Sequence, residues 1–235
     1  MTNENKPDQP VFISPFGPMF LKFKMPDDML EAVLAEAESM KARTTDEDYM
    51  KEYNWSEYLV GRNTGQLLLN YDFVIQSNLE GLLLALGNFY LENHHNRNSE
   101  TENMNLKLAS AWLNITRKND YNSLHDHNKS PLSGVIYLKE DPEIGAEIDS
   151  LSDTSKIKGG SFLPGVTHFV YNCSKQFLDS TSFSFRGKPG DVIIFPGWVS
   201  HLVNPFTAEG ERMTIAFNFH NDTNVIHRYN KEEDK

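Results

Sequence analysis

From Lys107 onward the sequence consists of short runs of β-branched and aromatic residues separated by turn-forming residues. The runs are KLASAWLNITR, SGVIYLKE, THFVYN, STSFSFRG, GDVIIFP and RMTIAFNFH. Residues of these types, in runs of this length, favour strands over helices. The pattern therefore predicts an all-β C-terminal two-thirds that folds as a sandwich or barrel.

The N-terminal part of the chain has helical periodicity instead. MPDDMLEAVLAEAESMKAR places apolar residues at helical spacing, with Asp27 as a candidate N-cap. A second helix is predicted from Leu79, and its inward residues are Leu82, Leu83, Leu86 and Phe89. Helices followed by strands predict an α+β, mainly β protein in which N-terminal helices buttress the β core.

The sequence contains no repeat and no linker, which predicts one domain over residues 11–228. Its helical part is expected at about 26–95 and its β core at about 105–220. Residues 1–10 and the tail 229–235 are polar and predicted to be disordered. The polar segment 143–158 is the expected mobile loop.

Composition excludes several classes of partner. A net charge of −11 argues against a nucleic acid or an anionic membrane surface as the partner. The only cysteine, Cys173, cannot form an intramolecular disulfide and is expected to be a structural thiol. The N-terminus has no signal-peptide pattern, and the longest apolar stretch is too short to span a bilayer. These features predict a soluble, cytoplasmic protein.

Two histidines, His125 and His127, stand one residue apart just before a predicted strand. In an extended backbone they would face the same side. A third, His201, follows the strand GDVIIF and a Pro-Gly turn. Three imidazoles near strand ends suit Fe, Zn, Cu or Ni. The alternative for the pair is a hydrogen-bonded role at a strand terminus.

A late predicted strand, ERMTIAFNF, carries a second candidate site. Alternation along the strand places Arg212 and Thr214 on one face, opposite Met213 and Ile215. An inward guanidinium needs an anion, and a carboxylate matches it in a bidentate pair. The alternative is a buried ion pair within the protein.

These motifs together resemble the Fe(II)- and 2-oxoglutarate-dependent dioxygenase superfamily. The order is His-x-His, SGVIYL, GDVIIFP, His201 and then Arg212-x-Thr214. It resembles the prolyl-hydroxylase-like branch, and most of all a group of 2-oxoglutarate/Fe(II) oxygenases with H-x-H, SGVYYL and FPSW-x-x-H motifs. The resemblance covers about residues 111–220. It implies a double-stranded β-helix (jelly-roll, cupin-like) core, with Fe(II), 2-oxoglutarate and O2 as cofactor and cosubstrates.

The resemblance also implies roles for individual residues. His125 and His201 match the two histidine ligands of the metal. Arg212 and Thr214 match the pair that anchors the distal carboxylate of 2-oxoglutarate, and Tyr137 matches a tyrosine that contacts the same carboxylate. Asn114 stands where such enzymes present a side chain toward the other end of the cosubstrate.

One position departs from the superfamily pattern, which is usually H-x-D/E. The third ligand position here is His127. Either the metal has a three-histidine face, which strand alternation favours, or a local bulge brings Asp126 into the ligand set instead. In the first case Asp126 could orient an imidazole from outside that set.

The implied activity is hydroxylation of a C–H bond, with oxidative decarboxylation of 2-oxoglutarate to succinate and CO2. The substrate is expected to be a protein side chain or a small molecule. One alternative is a cupin-type three-histidine oxygenase or isomerase without 2-oxoglutarate; another is a non-catalytic jelly-roll binding module. The remaining histidines are expected to be structural, Phe195 to pack the core, and Trp198 to pack the rim or line the entrance. Those histidines are His94, His95, His168, His220 and His227.

Overall fold

The structure is a computed structural model that describes residues 10–13, 17–56, 61–94, 103–151, 163–171 and 182–221. The helices are α1 (Asp27–Ala42), α2 (Glu47–Tyr53), α3 (Tyr71–Gln76), α4 (Leu79–Asn93) and α5 (Pro142–Leu151). The first six strands are β1 (Val11–Ile13), β2 (Phe20–Lys24), β3 (Gly61–Arg62), β4 (Gly65–Leu68), β5 (Leu106–Arg117) and β6 (Tyr121–His125). The others are β7 (Leu132–Glu140), β8 (Thr167–Val170), β9 (Ser182–Phe185), β10 (Asp191–Pro196), β11 (Ser200–Val203) and β12 (Glu211–Asn221).

The strands form two antiparallel sheets. The major sheet has seven strands in the order β1-β2-β10-β7-β12-β5-β4, and the minor sheet has five in the order β3-β6-β11-β8-β9. Aromatic side chains pack between the two sheets. For example, Phe20 of β2 lies edge-on against Phe169 of β8, with 4.8 Å between the ring centroids. The strands predicted from Lys107 onward are all present, and the predicted mainly β class is confirmed.

Strict alternation along the central strands of the major sheet separates the core from the site. On β12, Met213, Ile215 and Phe217 belong to a core that includes helices α1 and α4. Arg212 and Thr214 occupy the opposite face, toward the minor sheet. Strand β7, and β5 from Ala111 onward, divide their residues in the same way. Apolar contact with the helices thus determines which residues line the space between the sheets.

Strands of the N-terminal part were not predicted. β1 and β2 extend the major sheet beyond β10, β4 pairs with β5 at the opposite edge, and β3 pairs with β6. These strands are only two to five residues long, so their hydrophobic periodicity is too short to recognise. The N-terminal part therefore contributes sheet as well as helix.

The predicted helices α1 and α4 are present, with small differences. Helix α1 begins at Asp27 itself, so Asp27 is a first-turn residue; Pro26 occupies the cap position and makes no side-chain cap hydrogen bond. On α4, Leu83 and Leu86 are buried as predicted, whereas Leu82 and Phe89 are only partly buried. The main buried aromatic residue of α4 is Tyr90, whose hydroxyl donates to the carbonyl of Met19 at 2.9 Å.

The prediction of a mobile loop over 143–158 is wrong for its first part. Residues Pro142–Leu151 form helix α5. Ile144 and Ile148, four residues apart, are fully buried against Val166 and Phe206. Two apolar side chains in a polar segment are enough to bury one helical face because the partner surface comes from distant loops. Residues 152–158 lie outside the described residues, as do Cys173, residues 1–9 and the tail 229–235.

None of the helices in the described ranges combines the length and the apolar character needed to cross a lipid bilayer.

Candidate active site

Three histidines meet at the centre of the minor sheet. His125, His127 and His201 each offer a ring nitrogen, and these atoms lie within 4.8 Å of one another. The ring centroids of His125 and His201 are 4.3 Å apart, and the ring of His127 is 5.2 Å from each of them. Such a cluster of imidazoles could hold a transition-metal ion.

Two of these histidines are placed by strand pairing. His125 is the last residue of β6, and His201 lies directly opposite it on β11. His127 lies beyond the end of β6, so strand alternation does not place it. Its backbone N–H donates to the carbonyl of Gly197 at 2.7 Å, and its own carbonyl accepts from Ser130 at 2.7 Å. The turn after β10 therefore holds His127 beside the other two.

Gly197 makes this contact sterically feasible. A Cβ atom at position 197 would lie 2.1 Å from the carbonyl oxygen of Ser130 and 2.6 Å from that of His127. Both are backbone atoms, so neither can move aside without moving the segment that carries His127. Only a glycine permits this close approach of the two backbones.

Hydrogen bonds determine the tautomers of two imidazoles. The Nδ1 atoms of His125 and His201 lie 2.6 Å and 3.0 Å from the carbonyl oxygens of Ser123 and Val199. Because a carbonyl can only accept, each Nδ1 carries the proton. Each Nε2 then has a free lone pair, as a metal ligand requires.

The three imidazoles are held neutral. Burial lowers the pKa of His125, and the Ser123 carbonyl and Asp126 offset this only partly. Burial, reinforced by His125, lowers the pKa of His127 to about 4. Burial and the two neighbouring histidines lower the pKa of His201 well below its ordinary value. At neutral pH all three rings can therefore donate lone pairs to a cation.

Asp126, the alternative ligand considered from the sequence, lies outside the cluster. Its side chain is exposed, and one carboxylate oxygen accepts from the backbone N–H of Asn128 at 3.2 Å. Among the described residues, the group that could hold a metal contains His127 and not Asp126.

Arg212 is buried on the opposite wall, in the major sheet. Its side chain stacks over the ring of Tyr137 with 5.2 Å between the guanidinium carbon and the ring centroid. Burial lowers its pKa, and Tyr137 and Glu140 offset this only in part. The Glu140 carboxylate is itself paired with Arg186 at 2.8 Å. Within the described ranges Arg212 has no carboxylate partner, so the alternative of an internal ion pair finds no support there.

A row of polar side chains crosses the major sheet beside Arg212. Gln66, Asn114, Thr214 and Tyr137 are register partners on β4, β5, β12 and β7, and all four are buried. Gln66 Nε2 donates to Asn114 Oδ1 at 3.0 Å. The Tyr137 hydroxyl forms a 2.8 Å hydrogen bond with Thr167 of the minor sheet.

The histidine cluster and the polar row line one pocket between the sheets. Its lining also includes residues that sequence reasoning did not single out, namely Trp112, Asn122, Val135, Thr167, Val203 and Ala216. Gln66, which donates to Asn114, was not singled out either, and the one local sequence signal for it was a polar residue directly before the apolar run LLL. Six of the seven residues predicted to form the site line this pocket, and the seventh, Tyr137, contacts the lining residues Arg212 and Thr167.

Other histidines are not part of the cluster. His168 is fully buried, with its ring nitrogens 2.7 Å from the Ser184 hydroxyl and the Leu163 carbonyl. His94 stacks on Tyr90, and His220 is buried near the end of β12. His95 and His227 lie outside the described residues.

The two aromatic residues considered near the entrance have different environments. Phe195 is in the core, as predicted. Trp198 is 52% exposed and its ring contacts Tyr171 at 6.1 Å between centroids.

The protein is a jelly-roll of two antiparallel sheets in which a three-imidazole cluster faces a buried arginine across one pocket. Residues 110–218 match the model of a family described as "Putative 2OG-Fe(II) oxygenase". The match confirms the resemblance to the Fe(II)- and 2-oxoglutarate-dependent dioxygenase superfamily, and fold and family together support an oxidoreductase of this kind. The cofactors used by that family, Fe(II), 2-oxoglutarate and O2, agree with those predicted.

Solved structures show the same fold at low sequence identity. A Pseudomonas putida prolyl-4-hydroxylase has a TM-score of 0.53 and 15% identity, over 86% of this chain and 92% of that one. HygX from Streptomyces hygroscopicus, with nickel and 2-oxoglutarate bound, has a TM-score of 0.53 and 14% identity, over 86% and 82%. The α-ketoglutarate-dependent epimerase SnoN from nogalamycin biosynthesis has a TM-score of 0.54 and 11% identity, over 87% and 78%. The double-stranded β-helix prediction is thereby confirmed.

Comparison with curated proteins gave no significant match.

Proposed function

We propose that this protein is an Fe(II)- and 2-oxoglutarate-dependent dioxygenase that hydroxylates a C–H bond and converts 2-oxoglutarate to succinate and CO2. The observation that carries the proposal is the shared pocket. Three neutral imidazoles lie on one wall, and a buried arginine without a carboxylate partner in the described ranges lies on the other. A cation site and an anion site facing each other suit a metal-chelating dicarboxylate.

The metal ligands in this proposal are His125, His127 and His201. The donor set fits a divalent transition metal because all three imidazoles are neutral and two have their Nδ1 protons held by backbone carbonyls. Bound Fe(II) would supply the activation of dioxygen and the oxidising power of the reaction. The protein's own residues hold the metal, position the cosubstrate and exclude water.

Arg212 and Thr214 are proposed to anchor the distal carboxylate of 2-oxoglutarate. The planar guanidinium forms two parallel hydrogen bonds to a carboxylate, and the Thr214 hydroxyl can donate a third. Tyr137 helps to position Arg212, because its ring packs against the guanidinium and its hydroxyl is hydrogen-bonded to Thr167. Burial of the arginine makes such a charge-assisted pair strong once it forms, since no water competes for the guanidinium.

Asn114 is proposed to contact the opposite end of the cosubstrate. Its Oδ1 atom is engaged by Gln66, which leaves its NH2 group as the available donor. A donor is the right group for a carboxylate or a keto oxygen. Asn114 and Thr214 are register partners, so one ligand can reach both.

A three-histidine ligand set has electrostatic consequences. Replacing the usual carboxylate by a neutral imidazole removes one negative charge beside the metal. The site then attracts a divalent cation less strongly and a dianionic cosubstrate more strongly. Metal and 2-oxoglutarate should therefore bind with positive coupling.

Neighbouring structures with this fold include a prolyl-4-hydroxylase and an epimerase. We propose hydroxylation as the reaction and a protein side chain or a small molecule as the substrate.

The net charge of −11 disfavours a nucleic acid as the substrate. An intracellular location agrees with the need for 2-oxoglutarate and reduced iron.

Succinate formation tests the proposal. Protein loaded with Fe(II) is incubated with 2-oxoglutarate and oxygen, and succinate is measured with and without candidate substrates. We expect slow uncoupled turnover in the wild type and none in His201→Ala. A protein that binds iron but neither binds nor decarboxylates 2-oxoglutarate would instead be the cupin-type enzyme. One that binds 2-oxoglutarate without turnover would be a binding module.

A further inference from the structure

The indole N–H of Trp112 is a buried donor without an acceptor. The Trp112 side chain on β5 is 3% exposed, and its Nε1 atom has no hydrogen-bond partner in the part of the chain that the structure describes. Buried donors in native proteins are nearly always paired, because an unpaired one has lost its hydrogen bonds to water without replacement. An orphan donor of this kind needs an explanation.

The side of Trp112 that faces away from the pocket is packed among apolar side chains. Its ring packs against Trp55, 6.2 Å away between centroids, and the same apolar cluster contains Leu68 with Ala216 at its edge. The Tyr53 hydroxyl at the edge of that cluster is engaged by Asn70 Nδ2 at 3.2 Å. The pocket, which Trp112 also lines, is where a ligand could supply the missing acceptor.

Trp112 also lines the pocket beside the proposed metal ligands. Its ring lies edge-to-face with that of His127, 6.1 Å away between centroids. On β5, Trp112 is two residues from Asn114, and its register partner on β12 is Ala216, two residues from Thr214. Trp112 thus stands one level above the polar row, on the side away from Arg212.

The spacing of these levels matches the cosubstrate. Two residues along a strand advance by about 6.6–6.8 Å, which is close to the length of an extended five-carbon dicarboxylate. A ligand with one carboxylate at Arg212 and Thr214 therefore ends near the level of Trp112. That end is the one that chelates the metal, and it carries carboxylate and keto oxygens.

We propose that the Trp112 Nε1–H donates a hydrogen bond to an oxygen at the metal-chelating end of bound 2-oxoglutarate. This inference rests on the proposed function. It makes Trp112 a ligand-binding residue that supplies a donor to the end of the cosubstrate opposite Arg212.

The chain offers a matched set of variants for the test, because it contains three tryptophans. The indole ¹⁵N–¹H resonances of the Zn(II)-loaded protein are assigned with Trp55→Phe, Trp112→Phe and Trp198→Phe, and 2-oxoglutarate is then added. We expect the Trp112 indole proton to move downfield, as on forming a hydrogen bond to an anion, while the Trp55 resonance stays in place.

Calorimetry supplies the second readout. Phenylalanine keeps an aromatic ring against Trp55 and His127 but removes the donor, so Trp112→Phe should retain its zinc and fold with a somewhat lower melting temperature. Its affinity for 2-oxoglutarate should fall about 10- to 100-fold, as for a lost hydrogen bond to a charged group. Trp55→Phe, which contacts Trp112 but does not line the pocket, should bind 2-oxoglutarate like the wild type.

Two results would overturn the inference and leave the proposed function intact. They are 2-oxoglutarate binding to the wild type without movement of the Trp112 resonance, and wild-type affinity in Trp112→Phe. Failure of the zinc-loaded wild type to bind 2-oxoglutarate would reject both proposals together.

Discussion

Gln66 Nε2 donates a 3.0 Å hydrogen bond to Asn114 Oδ1 in the interior of the major sheet. Gln66 is 1% exposed and Asn114 is 5% exposed, so both partners of this bond are buried. The bond determines which end of the Asn114 amide is free, and the free end is the donor. In the proposed function, Gln66 is therefore the residue that orients the Asn114 amide toward the cosubstrate.

Gln66→Met should remove this orientation while preserving the bulk of the side chain. We expect the KM for 2-oxoglutarate to rise about 3- to 30-fold, with bound iron unchanged. In an Asn114→Ala background the same change should have no further effect on KM. Fully additive effects in this double-mutant cycle would show that Gln66 acts through packing alone.

Arg212→Ala should weaken 2-oxoglutarate binding far more than it lowers iron content. Losing one partner of a desolvated, hydrogen-bonded charge pair costs about 2–5 kcal/mol, or roughly 30-fold to several thousandfold in affinity. Arg212→Lys should recover part of this, because lysine keeps the charge and loses the planar fork. Isothermal titration with iron-loaded protein measures both, and unchanged affinity in Arg212→Ala would reject the anchor assignment.

The ligand set can be tested by measuring bound iron per chain. His125→Ala and His201→Ala should lose the metal, since each removes one of three clustered nitrogens. His127→Asp should keep iron, because it restores the two-histidine, one-carboxylate set. The β core should stay folded in all three, since Val192, Ile194, Ile215 and Phe217 pack it independently.

Asp126→Asn is the control for this series. Its carboxylate is exposed and contacts only the Asn128 N–H among the hydrogen bonds of the described residues, so the loss of its charge should be mild. The opposite pattern, a severe Asp126→Asn and a tolerated His127→Ala, would make Asp126 the ligand. Equal iron in every variant would mean that the cluster is not the metal site.

Gly197→Ala should disturb the metal site from outside it. The added methyl group would meet the carbonyl oxygens of Ser130 and His127 at 2.1 Å and 2.6 Å, so the turn carrying His127 must shift. We expect a loss of about 1–3 kcal/mol in the free energy of unfolding together with lower iron occupancy. Gly65→Ala is the matched control, because its methyl group would meet only the Ile115 side chain, at 3.4 Å. Wild-type iron content and stability in Gly197→Ala would contradict this account.

Glu211 should make stability depend on pH. Burial raises the pKa of its carboxyl, but hydrogen bonds from Lys41 and Arg117 together outweigh burial and lower it below the ordinary value of 4.5. A carboxyl whose pKa is lower in the folded state stabilises the protein above its unfolded pKa. That contribution should disappear as the pH falls below about 4.5.

Glu211→Gln should accordingly lower the free energy of unfolding by about 1–2 kcal/mol at neutral pH. The estimate allows for the solvent exposure of Arg117, which is 51%. Below the folded-state pKa the variant and the wild type should converge in chemical denaturation. The exposed pair of Glu209 and Lys118 supplies a control, and Glu209→Gln should cost less than about 0.5 kcal/mol. A pH-independent difference would exclude charge as the cause.

The sequence alone was sufficient to predict the strands from Lys107 onward and the inward positions of Arg212 and Thr214. Both predictions depend on alternation along a single strand, which is a local property of the backbone. The placement of His125, His127 and His201 near predicted strand ends indicated a candidate metal site, and the resemblance supplied their roles and the double-stranded β-helix. His127 was favoured by strand alternation, yet the structure holds it beyond β6 through a backbone hydrogen bond to Gly197.

Other features depended on which segments become neighbours. Gln66 acquires a role because β4 pairs with β5 in the register that sets it beside Asn114, and Trp112 because the same strand faces both an apolar cluster and the pocket. Helix α5 forms because Phe206, far along the chain, covers Ile144 and Ile148. Register and long-range packing are not encoded in any local pattern, so they were decided only when the tertiary structure brought distant segments into contact.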